Sequence, residues 1–353
     1  MTAARNNRGR STGLWLGLAA LAALALFPFA LSALTGEPVD AGTPKFWQGM
    51  LAQVFILAVY AVSYDLLMGY TGILSFGHAM FFGTGAYVTG ILLTHAGWEL
   101  WQVVLAVVAV AVVQGLLIGV LSLRVRGVYL AMVTLAFAQM FFILAEATDF
   151  REWTGAEDGL HGIPVPEWIS PTDERLRFYY FALAFGVVAY LIARRVVDSP
   201  VGHVMVAIRE NEARAQMIGY NTFVYKLIAV TLSGLLASAA GLMHALWNVN
   251  ANPSMLSVNT TINALLMTII GGVGTLIGPV LGAGVLQLLG YWLNDTFGPR
   301  WPLIFGVVYI LIVLFFPYGL VGTWRMRRQG WRAAWAGRLR WLAAWRPTRS
   351  ETP

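Results

Sequence analysis

The sequence predicts an all-α polytopic membrane protein with about ten transmembrane segments, within a range of about eight to ten. Three observations lead there. The 353 residues are 58% hydrophobic and only 11% charged, less than half the roughly 25% charge of an ordinary soluble chain. Uncharged or nearly uncharged runs of about 20 residues, the length that crosses a hydrocarbon core, recur along the chain. The remaining basic residues sort to alternate sides of those runs. This composition excludes an ordinary soluble enzyme, a nucleic-acid-binding domain and a disordered chain, although a net charge of +6 would hint at nucleic acid in a soluble protein. Cysteine is absent, which removes disulfides, thiol nucleophiles and thiolate metal sites.

The runs fall at 14–34, 47–68, 72–93, 101–123, 128–145, 178–197, 227–247, 258–270, 276–293 and 302–322. The first follows Arg5, Arg8 and Arg10. It is longer than the roughly 7–15 residues of a cleavable signal core, so it reads as an uncleaved span. The third, eighth and ninth are dense in glycine, and the eighth is short, which points to broken or re-entrant segments. With the N-terminus in the cytoplasm and ten alternating spans, 18 of the 23 Lys and Arg lie inside. Only Lys45, Arg151, Arg175, Arg177 and Arg300 fall outside. Basic residues favour the cytoplasmic side, so both termini are expected there. Residues 1–13 then form a cytoplasmic tail, 14–323 the membrane domain and 324–353 a second tail.

Two hydrophilic segments interrupt the spans. Residues 146–177 carry Glu146, Asp149, Glu152, Glu157, Asp158, Glu167, Asp173 and Glu174 against three arginines; they face outward, as a solvated loop or a docking surface. Residues 198–225 face inward. There Asp198-Ser199-Pro200 forms a turn that opens a helix. The run from Val204 to Ile218 has neither Gly nor Pro and is rich in helix formers. Val204, Ile208 and Ala215 alternate with Arg209, Glu210, Glu212 and Arg214, giving one short amphipathic helix that Gly219 stops. Mixed charge on its polar face favours a protein partner over lipid. The tail from Trp324 to Pro353 holds eight arginines and five tryptophans and reads as an interfacial helix on anionic lipid.

Gly69, Gly72, Gly77, Gly83, Gly85 and Gly90 interrupt one apolar stretch, with Ser75 and His78 at its polar centre. A second cluster follows Asn263 and contains Gly271, Gly272, Gly274, Gly278, Pro279, Gly282 and Gly284. Each is preceded by a Leu-Leu-Met triplet, at 66–68 and 265–267. Paired glycine-interrupted segments in two halves point to a solute pathway. Single glycines more commonly serve close helix packing. The candidate pathway residues are Gly72, Ser75, Gly77, His78, Gly83, Gly85, Asn263, Gly271, Gly272 and Gly274. A lone His78 fits a helix–helix hydrogen bond better than a proton relay, and Asp65, at the inner end of the second run, can snorkel or cap. There is no G-x-x-x-x-G-K-[ST] loop, H-E-x-x-H helix or G-x-S-x-G elbow, so no catalytic residue, metal site or cofactor of its own is expected.

The stretches GYTGILSFGHAMFFGTGAYVTG (69–90), SPVGHVMVAIRENEARAQMIGYNTFVYKLIAVTLSGLLASAAGLMHAL (199–246) and GGVGTLIGPVLGAGVL (271–286) together resemble the LivM-type permease subunit of ABC importers for branched-chain amino acids. The resemblance covers most of 47–323 and leaves the tail after Trp324 outside. It implies a bacterial inner-membrane subunit paired with a second, related permease subunit. It further implies two cytoplasmic ATPase subunits, which bind the ATP, and a periplasmic solute-binding protein. The segment 198–225 then corresponds to the coupling helix, with Ile208, Arg209, Glu210, Asn211, Glu212, Ala213, Arg214 and Gly219 as the residues that meet the ATPase. The family's Glu-Ala-Ala-x-x-x-Gly pattern is altered here, since Arg214 follows Glu212-Ala213 and Gly219 comes one position late. Exchanging the charges with Arg209→Glu and Glu212→Arg is expected to uncouple hydrolysis from uptake. The same importer class also handles urea and short amides, and a channel or secondary carrier acting without ATPases, or a membrane scaffold, are the readings from other classes.

Overall fold

A computed structural model describes residues 3–315 and 319–323. The described residues are all-helical apart from turns, loops and one two-residue strand pair. In order, the helices are α1 (Ala3–Thr35), α2 (Gly42–Asp65), α3 (Ala79–Thr94), α4 (Leu100–Ser122), α5 (Val128–Glu146), α6 (Arg151–Thr154), α7 (Arg175–Val197), α8 (Pro200–Glu210), α9 (Glu212–Met217), α10 (Thr222–Asn248), α11 (Val258–Gly271), α12 (Ile277–Phe297) and α13 (Trp301–Phe315). The interfacial helix expected in the tail at 324–353 lies outside the described residues.

Among the described residues, six helices are long and apolar enough to cross a membrane: Gly17–Thr35, Gly42–Tyr70, Leu100–Ser122, Val128–Glu146, Arg175–Val197 and Thr222–Asn248. The expected count of about ten is not reached by this measure, for local reasons. The run at 72–93 is helical only from Ala79, and α11 has 14 residues. α12 is one unbroken helix rather than a broken one, but Gln287, Asn294 and Asp295 lower its hydropathy.

The hub is α2, which packs against α1, α7, α10, α11 and α12, while α3 and α4 pack on α10. Its residues Ala61, Tyr64 and Asp65 are fully buried. On one flank, α1 contains Pro28, which cannot donate to the carbonyl of Leu24 four residues earlier. The hydroxyl of Tyr179 on α7 donates to that Leu24 carbonyl at 2.6 Å. At membrane depth a freed carbonyl needs such a partner.

At one end of the bundle, the segment between α5 and α7 is a folded cap rather than an open loop. Leu160–His161 (β1) pairs antiparallel with Asn250–Ala251 (β2), in register Leu160 with Ala251. Ile163 and Ile169 are buried beneath it, while Asp149, Glu152, Glu157, Asp158, Glu167 and Asp173 remain exposed. Exposed Trp98, Trp101, Trp153 and Trp168 ring this end, as the aromatic belts of membrane proteins do. The opposite end carries α8 and α9.

Candidate functional site

The α8–α9 end is built from short-range signals. Ser199 caps α8 by accepting from the Gly202 N–H, and Pro200 occupies the first turn, where no N–H is needed. The single amphipathic helix expected here is two helices. Asn211 is extended (φ −163°, ψ 101°) and its Oδ1 accepts from the Arg214 N–H at 2.9 Å, so it ends α8 and caps α9. An asparagine satisfies a fresh helix N-terminus better than it continues an old helix. Past Met217, Gly219 adopts φ +96°. Its N–H bonds Gln216 O, and the Tyr220 N–H bonds Ala215 O, which is the paired termination a left-handed glycine allows.

Two faces result. Val204, Ile208 and Ala215 pack inward with Tyr225, so Ile208, expected among the partner-facing residues, is buried. Glu212 is also turned inward, bound to Lys226 Nζ at 2.6 Å and accepting from Thr222 Oγ1 at 3.2 Å. Burial raises the Glu212 pKa, but the hydrogen bond and charge of Lys226, with help from Thr222 and Arg126, outweigh it and hold the carboxyl below its ordinary value. Facing away are Glu210, Ala213 and Arg214, beside Met217 and Ile218, which are 80% and 66% exposed.

Arg209 joins this helix pair to the end of α2. Its guanidinium donates to the Gly69 carbonyl and to Glu210 at 3.1 Å. Gly69 lies in a π-helical turn, Leu66–Tyr70, that extends α2. At the start of that turn Asp65 accepts from the Gly274 N–H at 2.6 Å and the Leu276 N–H at 3.2 Å. Asp65 therefore caps the break between α11 and α12. Leu276 is held there in a left-handed conformation (φ +52°), a strained state for a branched residue. The two glycine-rich segments meet at this joint. A side chain at Gly72 (φ +75°) would strike Arg209, and one at Gly274 (φ +72°) would crowd both Arg209 and Gly69.

The remaining candidate residues separate into packing positions and one cleft residue. Residues 72–78 leave helical geometry with Gly72 and Leu74 exposed and Ile73, Ser75, Gly77 and His78 buried, and side chains answer for the backbone: Thr134 Oγ1 accepts from Phe76 N, Ser75 Oγ from Gly77 N, and Thr261 Oγ1 from Ala79 N. His78 is fully buried among Tyr60, Tyr64 and Phe81. Ser63 Oγ lies 2.6 Å from Tyr60 O and 2.8 Å from His78 Nε2, so the serine hydroxyl links the ring to the α2 backbone. Gly77, Gly83 and Gly85 abut Thr134, Leu256 and Ser238, and Gly271 abuts Gly278. Gly272 terminates α11. Asn263 alone of the candidate pathway residues lines the cavity of about 330 Å³ between α2, α10, α11 and α12. That cavity also holds Gln53, His244, Asn248, Asn250 and Gln287. No group of three or more His, Asp or Glu that could hold a metal occurs among the described residues.

Residues 47–316 match the family model described as "Branched-chain amino acid transport system / permease component". The chain belongs to this permease family. It is 27% identical to the high-affinity branched-chain amino acid transport system permease protein LivM of Escherichia coli over 331 residues, covering 87% of this chain and 74% of that one. It is 25% identical to the probable branched-chain amino acid transport permease protein LivM of Methanocaldococcus jannaschii over 332 residues, covering 87% and 91%. The ribose import permease protein RbsC of Escherichia coli is 26% identical over 263 residues, covering 69% and 76%. No solved structure matches the chain. The matched span of this LivM-type permease contains α8 and α9, the joint at Asp65 and most of the helical bundle. Among the residues that matter, sequence reasoning missed Met217, Ile218, Gln53 and Gln287. The signal for the last two was an amide in the middle of an apolar run.

Proposed function

We propose that the chain is the membrane-spanning permease subunit of an ATP-driven importer for branched-chain or other aliphatic amino acids. In this reading the α8–α9 end lies in the cytoplasm, where 18 of 23 basic residues are placed by the positive-inside rule. The capped end faces outward. The observation that carries the reading is the connection itself: α8–α9 exposes Met217 and Ile218 on one side, and on the other is hooked by Arg209 to the joint between the two interrupted segments. A helix pair with that build converts a push from outside the chain into a displacement of Gly69 and Gly274.

Two ATPase subunits would seat the knob formed by Met217 and Ile218, flanked by Glu210, Ala213 and Arg214. A related permease subunit would complete the pathway along the polar cavity, and a binding protein would deliver solute to the capped end. The LivM and RbsC relatives carry names for two different solutes; the aliphatic amino acid reading follows the LivM-type match, which spans more of this chain.

The test is reconstitution of the complete transporter with Met217→Glu and Ile218→Glu in this chain. Neither side chain supports the fold, so insertion and assembly with the second permease persist. ATP-dependent uptake falls about a hundredfold, since two apolar anchors of roughly 1–2 kcal/mol each are lost from a desolvated contact. Undiminished uptake refutes the lever. The earlier charge exchange at Arg209 and Glu212 is a poorer probe, because both residues hold the loop to its own chain.

A further inference from the structure

The polar cavity has a composition that selects by charge. Gln53 sits in the middle of α2, Gln287 in the middle of α12 and Asn263 in the second turn of α11, so three amides from three helices converge on one space. None of the three side chains makes a hydrogen bond among the described residues; Asn263 is exposed and Gln53 and Gln287 are half-buried, while the buried Oδ1 of Asn250 beside them has no donor. Polar groups left unsatisfied at membrane depth are costly, which argues that something other than this chain meets them. The rest of the lining includes the apolar Leu57, Phe82, Met267 and Leu286, with Leu57 and Met267 one helical turn from Gln53 and Asn263. No Asp, Glu, Lys or Arg lines the cavity.

From this juxtaposition we infer that the cavity is a charge-excluding station on the solute path, where Gln53, Asn263 and Gln287 contact net-neutral amino acids with apolar side chains. Amide N–H groups donate to a carboxylate and amide carbonyls accept from an ammonium, so a zwitterion finds partners of both signs. An aliphatic side chain meets the apolar lining. A lysine or glutamate side chain entering the cavity would lose its water and find no opposite charge, which is strongly unfavourable. The inference rests on the importer reading and adds which residues inspect the solute.

The experiment uses the complete transporter in proteoliposomes, with Asn263→Asp and, separately, Gln287→Leu in this chain, and labelled leucine as solute. Asn263→Asp preserves shape and introduces one charge, and leucine uptake falls about tenfold or more, the effect of an unpaired charge at membrane depth. Gln287→Leu removes one amide without charge and lowers uptake less. Hydrolysis stimulated by the loaded binding protein persists in both, which places the loss in passage rather than assembly. Uptake of leucine by both variants equal to that of the unaltered complex overturns the inference and leaves the importer reading standing. An unaltered complex that shows no ATP-dependent uptake of any amino acid overturns both. A second measurement needs no transport: the chain has no cysteine, so Asn263→Cys gives a single thiol. A small neutral thiol reagent reacts with it much faster than cationic or anionic reagents of the same size. Equal rates for the three overturn the inference.

Discussion

At the scale of single residues, Asp65 shows how one side chain holds distant segments together. Its two oxygens serve Gly274 and Leu276, and an amide in its place offers only one acceptor. Asp65→Asn is therefore expected to cost about 1–3 kcal/mol, the penalty for leaving a buried donor unmet. Thermal unfolding in detergent measures it, and Leu276, no longer held in its left-handed state, exchanges its amide proton faster. His78 predicts the opposite behaviour. If its role is the bond to Ser63, His78→Phe keeps the aromatic packing and loses about 0.6 kcal/mol, a typical interhelical bond in a membrane, with uptake retained. Glu212 gives a pH test. A carboxyl held below its ordinary pKa contributes stability that is complete above the unfolded value and disappears as pH falls through the folded value. Opening of α9, followed by hydrogen exchange corrected for intrinsic rates, is thus flat near neutrality and increases only in acid. Lys226→Ala removes that dependence. These residue roles were largely invisible in the sequence. The partners of Asp65 lie 209 and 211 positions away, and no local pattern announces a cap at such separation.

At the scale of elements, short-range chemistry was readable and long-range contact was not. Ser199-Pro200 opens α8 and Gly219 closes α9 through caps that need only neighbouring residues. The break at Asn211 escaped notice because the run from Val204 to Ile218 has good helix formers on both sides, and a capping asparagine competes with continuation only when the following turn is pinned. Here Glu212 is pinned by Lys226. The glycines of α3 illustrate the other limit. Gly85 faces the Ser238 backbone, and Gly241 of α10 faces the Phe82 carbonyl in return, so the two helices touch main chain to main chain. Gly85→Val forces them apart at an expected cost of about 1–3 kcal/mol or more, read as a lower midpoint of unfolding. Nothing in the sequence distinguishes such a packing glycine from one that lines a path.

For the whole molecule, the composition alone placed the chain in a membrane, and the ten apolar runs all contain helix. Among the described residues, six of those helices meet the length and hydropathy of a span; the glycine-rich runs trade apolar length for close approach and for the interruption at Asp65, and the last run, 302–322, lies partly outside the described residues. The bundle reads as a lever end and a capped end joined by α2 and α10, with the amide-lined cavity between them. The claim on which this depends is that α8–α9 faces the cytosol and is gripped by an ATPase. With no native cysteine, Met217→Cys provides one label site at the tip of the lever. The account predicts that an impermeant thiol reagent modifies it in inverted membrane vesicles, does not modify it in intact cells, and is blocked when the ATPase subunits are bound. Modification from the outside of intact cells contradicts the account.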